Sequence, residues 1–274
     1  MTAPAATAPI GVFDSGLGGL TVVGELIRQL PRESLIYFGD TARVPYGPKS
    51  PDTIRRYSRE IAAYLLGEGV KALVVACNTA TAHALPTLAA ELPIPVIGVV
   101  QPGARAAVAA TRGAGIGVIG TIGTIASRAY EHAIHALSPD ARVTTQPCPL
   151  FVPLVEEGWL DTDATRLIAQ EYLAPIVAAG IDTLVLGCTH YPLLIPVIAP
   201  IVGPSVRLID SAHATAAATR AAIHDANLER PAAGAGQAAP RYRFIASDAP
   251  DQFLRSGRRF LGATIERVET HTLG

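Results

Sequence analysis

Eight short runs of apolar, largely β-branched residues recur along the chain, and segments of helical period fill the spaces between them. The runs are "IGVF" (10–13), "LIYF" (35–38), "ALVVA" (72–76), "PVIGVV" (95–100), "IGVIG" (116–120), "TLVLG" (183–187), "VRLID" (206–210) and "RYRFIA" (241–246). A strand wet on one side alternates apolar and polar residues, whereas a run that is apolar throughout belongs to a strand covered on both faces. The pattern predicts an α/β fold on parallel sheets.

The chain also repeats itself. "GVKALVVAC" (69–77) aligns with "GIDTLVLGC" (180–188) at an offset of 111 residues; an offset of 106 sets "GVFDSGLGG" against "GVIGTIGTI", and one of 112 sets "IPVIGV" against "VRLIDS". Three strand-plus-loop units in one order predict two similar parallel-sheet α/β domains related by a pseudo-twofold axis, with a cleft between them. The expected division is a disordered tail at 1–9, a first domain from 10–99 plus 208–274, and a second from 100–207.

Ligands of open parallel sheets bind beyond the carboxyl ends of the strands. If the halves face each other, Cys77 and Cys188 reach the cleft from opposite sides. Two opposed thiols suit removal of a proton from one face of a stereocentre and delivery to the other, which is racemisation. Each cysteine precedes an expected helix start, with Asn78 and Thr79 in "CNTATA" and Thr189 and His190 in "CTHYPLL", where Pro192 suits the first turn. Free N–H groups and the helix dipole there can hold a carboxylate and pull a thiol pKa toward neutrality. The same residues are also ordinary helix caps. "VFDSGLGGLTV" puts Asp14 and Ser15 after the first strand, and Gly16, Gly18 and Gly19 allow a tight turn and close approach of substrate; it is not a phosphate-loop motif. "YFGDTARVPYGPKS" ends a strand in Asp40 and continues into a Pro/Gly loop with Tyr46 and Gly47, a type of loop that caps sites.

Composition narrows the function classes. With 49% hydrophobic and 16% charged residues the chain is a well-buried globular protein. A net charge of -1 argues against nucleic acid as a partner, and the densest basic run, "RSGRRF" (255–260), reads as an exposed helix face. No apolar stretch is long enough to span a membrane, and the start lacks the regions of a secretory signal. Cys77, Cys148 and Cys188 are then free thiols in a reducing, cytoplasmic setting, and no C-x-x-C or H-x-x-x-H spacing supports a metal site. A pyridoxal phosphate racemase needs a Schiff-base lysine. Of the two lysines, Lys49 sits in the Pro/Gly loop and Lys71 precedes its strand, away from the site. The expected chemistry uses no cofactor, and fixed donors in a dry cleft stabilise the carbanion. Cys148, lacking a counterpart in the repeat, reads as core packing; His83, His132, His135, His213 and His224 as surface or packing residues; Trp159 as a packing anchor.

"DSGLGGLTV", "YFGDTARVPYGPKS", "ACNTATA", "CPLFVPLVEEG" and "LVLGCTHYPLL", in this order, resemble glutamate racemases, the cofactor-independent enzymes that make D-glutamate for peptidoglycan. The resemblance runs from about Ile10 to Ser211. It implies that Cys77 takes the α-proton of D-glutamate while Cys188 donates on the other face, with roles reversed for L-glutamate. It further implies that Asp14 and His190 assist the cysteines, that Asp40 and Glu156 are catalytic or hold the substrate ammonium, and that Ser15, Tyr46, Gly47, Asn78, Thr79, Thr121, Thr124 and Thr189 bind the substrate carboxylates. The family is commonly dimeric, which implies a homodimer. Rival readings are a racemase of aspartate or a related acid on the same fold, and a non-catalytic binder, for example of DNA gyrase.

Overall fold

The computed structural model describes residues 5–231 and 239–273; most of the low-complexity segment "PAAGAGQAAPR" lies outside the described residues. The strands are β1 (Ile10–Asp14), β2 (Leu35–Gly39), β3 (Ala72–Val75), β4 (Val96–Gly98), β5 (Ile116–Gly120), β6 (Val143–Pro147), β7 (Thr183–Gly187), β8 (Arg207–Asp210), β9 (Tyr242–Ala246) and β10 (Glu269–Thr270). The helices are α1 (Leu20–Gln29), α2 (Pro51–Gly67), α3 (Asn78–Glu91), α4 (Val100–Ala110), α5 (Ile122–Ala126), α6 (Ala129–Leu137), α7 (Phe151–Glu156), α8 (Asp163–Ala178), α9 (Ile195–Val202), α10 (Ser211–Asp225) and α11 (Pro250–Leu261). Among the described residues no helix is long and apolar enough to cross a membrane.

Two all-parallel sheets carry the fold. The first runs β10-β9-β2-β1-β3-β4 and the second β6-β5-β7-β8, so the order β2-β1-β3-β4 recurs as β6-β5-β7-β8. Register preserves the sequence offsets: Ile10 pairs with Ala72 as Ile116 pairs with Thr183, and Leu73 with Val96 as Leu184 with Leu208. β9 and β10 extend the first sheet only. The domain boundary expected after residue 207 falls inside β8, which pairs with β7; the second sheet therefore continues to Asp210.

Successive side chains of a strand point to opposite faces, and here both faces are covered. In the first sheet Ile10, Val12, Tyr37 and Val74 pack in one core, while Phe13, Ile36, Phe38 and Val75 pack in the other. Cores centred on Leu184 and Leu186, and on Ile116, Val118 and Val185, sandwich the second sheet. Residues 5–9, expected as disordered tail, form a turn whose Ala6 carbonyl accepts from Lys71 Nζ at 2.6 Å. The Lys71 ammonium, wholly buried at the amino end of β3, is also paired with Glu33 at 2.5 Å. A buried charge needs such partners, and they draw the tail onto the body.

Side-chain caps place the helix starts. Ser50 accepts from Thr53 N ahead of α2, Thr121 from Thr124 N ahead of α5 and Asp210 from Ala212 N ahead of α10. Beyond β7 the expected helix does not start directly: Tyr191–Leu194, with Pro192, form a 3-10 turn before α9. Trp159 is about half exposed (52%) and is not a packing anchor; what its backbone does is accept from Thr165 Oγ1 and so brace the start of α8.

Candidate active site

At the carboxyl end of β1 the chain turns back over Asp14, whose Oδ2 accepts from the N–H groups of Gly16 (3.2 Å) and Gly19 (3.0 Å). Gly19 has to lack a side chain, because a Cβ there would lie 2.6 Å from Asp14 Cβ and 2.8 Å from the Tyr37 hydroxyl. Burial raises the Asp14 pKa, while the His190 charge and the turn's N–H groups hold it back. One strand over, Cys77 caps α3: its sulfur accepts from Ala80 N at 3.4 Å and lies 3.8 Å from Ser15 Oγ. The helix start was expected to lower this thiol's pKa. Instead burial, and then the Asp14 charge, push the Cys77 thiol well up, and the single backbone N–H is too weak to reverse them.

Cys188 ends β7 in the equivalent place with a different partner. Its sulfur is 3.8 Å from His190 Nδ1, and His190 Nε2 is 3.1 Å from Glu156 Oε1 at the end of α7. Full burial works against an imidazolium at His190, yet the bonds to Cys188 and Glu156 outweigh it and raise the His190 pKa to about 10. Glu156 stands behind the imidazole, partly exposed.

Both thiols line one cavity of about 30 Å³ between the sheets, with Asp14, Ser15, Tyr46, Gly47, Asn78, Thr79, Thr121, Thr189 and His190. Val44, Pro45 and Val152, which the sequence reading passed over, complete its wall, and a mostly apolar cavity of about 340 Å³ adjoins it there. Two buried polar atoms at the cleft have no partner in the described residues: Asp14 Oδ1 and Asn78 Nδ2. Buried polar atoms left in this way are costly, and a polar ligand would satisfy them.

Several expected ligand contacts are instead made across the interface. Thr79 Oγ1 lies 2.8 Å from Thr121 Oγ1 and 3.2 Å from Thr124 Oγ1, Gly123 N donates to Gly47 O at 2.9 Å, and the Tyr130 hydroxyl donates to Asn78 Oδ1 at 2.8 Å. Thr124 is buried behind this cluster and does not line the cavity. His83, expected as a surface or packing residue, reaches over to the Gly123 carbonyl at 3.2 Å. Gly18 was read as leaving room for substrate; what approaches it is the other half, since a Cβ there would lie 2.3 Å from Thr189 Oγ1 and 2.5 Å from His190 Nδ1.

Asp40 requires a correction. It is fully buried and lines no part of the cavity. Its Oδ1 accepts from Ser247 Oγ (2.9 Å), and its Oδ2 from Arg43 Nε (2.8 Å) and the Tyr46 hydroxyl (2.5 Å). A carboxylate so occupied fixes the loop that presents Tyr46 and Gly47, and its burial away from the cavity keeps it from a substrate ammonium. Cys148 does have a counterpart: paired β5 and β6 put it where Asp40 follows β2. It is buried in the second core. Neither Lys49 nor Lys71 touches the cleft, and among the described residues no group of three or more His, Cys, Asp or Glu side chains is arranged to hold a metal.

Thiols on opposite walls can take a proton from one face of a carbon and return one to the other, which is the work of an isomerase. Sequence comparison gives the same class: residues 10–219 match the family model described as Asp/Glu/Hydantoin racemase, and the chain belongs to that family. It is 54% identical over 259 residues to the glutamate racemase of Geobacter metallireducens, covering 94% of each chain. Among solved structures, glutamate racemase isoform RacE1 from Bacillus anthracis superposes with a TM-score of 0.90 at 41% identity over 97% of both chains. The Francisella tularensis glutamate racemase, solved in complex with D-glutamate, gives 0.89 at 38% identity over 98% of both.

Proposed function

We propose that the chain interconverts L- and D-glutamate by proton transfer at Cα between Cys77 and Cys188, without a cofactor. The observation that carries this reading is the pair of thiols in one cavity, each with its own ionisable partner. Names of relatives at about half identity supply the substrate; the residues supply the mechanism.

The two partners prepare the thiols differently. The imidazolium at His190 favours negative charge on the sulfur beside it, whereas burial and the Asp14 carboxylate keep the proton on Cys77. In this state Cys188 removes the α-proton of L-glutamate and Cys77 delivers its proton to the opposite face of the carbanion, giving D-glutamate. The product leaves Cys77 as thiolate and Cys188 as thiol, the state that accepts D-glutamate. No lysine amine reaches the cleft to form an imine, so stabilisation of the carbanion falls to N–H groups and hydroxyls preorganised in a dry site. Asp14 Oδ1 suits the substrate ammonium, and Asn78 Nδ2, Thr79, Thr121 and Thr189 suit its carboxylates.

Substrate reaches the thiols past contacts that join the halves, Thr79 to Thr121 and Gly18 to Thr189 among them. The two bodies, 10–99 with 211–231 and 239–273, and 100–210, part to admit substrate and close over it. D-glutamate so formed would serve peptidoglycan assembly in the cytoplasm.

The test is incubation of the purified chain with L-glutamate in D₂O without added cofactor, following circular dichroism and α-deuteration. Loss of optical activity with one α-deuteron per turnover supports the reading. Exchange of aspartate but not glutamate would keep the chemistry and replace the substrate; exchange of neither would end it.

A further inference from the structure

We infer that Phe260 and Arg259, in the last turn of α11, are positioning residues for the Glu156–His190 pair, so that the Cys188 side is assembled only when the halves close. The inference rests on the racemase reading above.

α11 belongs to the first half. Phe253 is buried in its core, and Gly257 packs so closely that a Cβ there would lie 3.2 Å from Leu20 Cδ1 and 3.1 Å from Ile265 Cδ1. The helix is thus fixed to the first sheet while its end reaches the second half. The Phe260 ring lies edge-on to His190, with centroids 6.5 Å apart and planes at 88°, and it packs against the cores of both halves. Arg259 Nη1 donates to the Glu156 carbonyl at 3.2 Å, in space left by Gly158, where a Cβ would lie 2.8 Å from that nitrogen. From another side the His190 ring meets the Gly18 backbone, and Thr21 Oγ1 donates to the Thr189 carbonyl at 3.3 Å. Within its own half the His190 ring holds only to Cys188 and Glu156 among the described hydrogen bonds; the remaining walls named here come from the first half. When the halves part, Phe260 and Gly18 withdraw, water reaches the imidazole and competes for Glu156, and the ring loses its orientation. The hydrogen-bond contacts of the Cys77 sulfur have no such dependence, because Ser15 and Ala80 belong to its own half.

The experiment compares the full chain with Phe260→Ala, Phe260→Leu and Arg259→Ala, using L-[2-²H]glutamate and D-[2-²H]glutamate as substrates and thermal melts to verify folding. Misplacing a catalytic group by about 1 Å costs up to about a hundredfold, so Phe260→Ala is expected to lose about 10- to 100-fold in kcat/KM. The isotope effect should rise with L-[2-²H]glutamate, whose deuteron Cys188 removes, and fall with D-[2-²H]glutamate. Phe260→Leu, which keeps an apolar wall, should recover most of the rate. Arg259→Ala should shift both isotope effects the same way by less, and it decides the matter if Phe260→Ala fails to fold. Unchanged rates, or equal slowing with both isotope effects unaltered, would overturn the inference. Wild-type chain that exchanges neither enantiomer would overturn the racemase reading itself, a result separable from the variants' behaviour.

Discussion

The ends of β3 and β7 are the same place in two copies of one unit, yet they carry different chemistry. Cys77 caps a regular helix, faces a buried carboxylate and takes its sulfur contacts from its own half. Cys188 precedes a 3-10 turn and faces an imidazole that is backed by Glu156 and walled partly by the other half. A duplicated fold gives two thiols related by symmetry, but racemisation needs one base and one acid at any moment. In the proposed reaction the difference between the halves would supply that: a carboxylate holds the proton on Cys77, and an imidazole stands beside Cys188. The largest expected effect tests the premise. Cys77→Ser and Cys188→Ser should each lower turnover by about 10²–10⁴-fold, the range for a positioned acid or base. A variant that keeps wild-type racemisation would show that one thiol suffices and that the comparison is empty.

The partners come next. His190→Asn should lower kcat by about a hundredfold and raise the isotope effect with L-[2-²H]glutamate. Asp14→Asn, which removes the charge beside Cys77, should change the effect with D-[2-²H]glutamate instead. Equal changes in both directions from either variant would break the assignment of one partner to each thiol. Acidity gives a second handle. The His190 pKa is raised from 6.5 to about 10 in the folded chain, so the imidazolium's contribution to stability is fully present below about 6.5 and is lost as pH rises through about 10. The cost of His190→Asn in thermal melts should therefore be greatest at neutral and lower pH and shrink toward pH 10. A cost that grows with alkalinity would show that His190 is neutral at rest.

A smaller effect probes the wall. Gly18→Ala would put a Cβ 2.3 Å from Thr189 Oγ1 and 2.5 Å from His190 Nδ1, and the imidazole is held at both nitrogens. The halves must then stand slightly apart, at a cost of about 1–3 kcal/mol in the closed state. We expect about a tenfold loss in kcat with little change in the melting of the first half, read by activity and circular dichroism together.

The α/β class, the doubled unit and the opposed cysteines were legible because each leaves a local mark: continuous apolar runs and fixed offsets that register then repeats. β6 left none, because "VTTQP" is a half-buried edge strand without an apolar run, and β10 is two residues long. Asp40 looked like a site acid because it follows a strand end and because the family resemblance implied such a role. Its three partners come from as far off in sequence as Ser247, which no spacing reveals. "RSGRRF" read as solvated arginines, and its one aromatic was the available signal that this face meets something. The altered thiol environment at Cys77 also escaped the sequence, since helix starts lower thiol pKa values in water and burial reverses the sign.

The smallest effect sharpens the comparison by being symmetric. The Tyr130 hydroxyl, from the second half, donates to Asn78 Oδ1 beside Cys77 at 2.8 Å, and the other end of that amide is one of the unpartnered buried groups. In the proposed reaction that bond orients Asn78 to offer its N–H group to a substrate carboxylate, a task that belongs to neither thiol. Tyr130→Phe keeps the ring and removes one hydrogen bond worth about 1 kcal/mol, enough for a change of about fivefold. That loss should fall on KM more than kcat, for both enantiomers alike, with both isotope effects at their wild-type values. If the isotope effect with D-[2-²H]glutamate alone moved, Asn78 would be acting on Cys77 and not on the carboxylate, and the first half's acid–base apparatus would depend on the second after all.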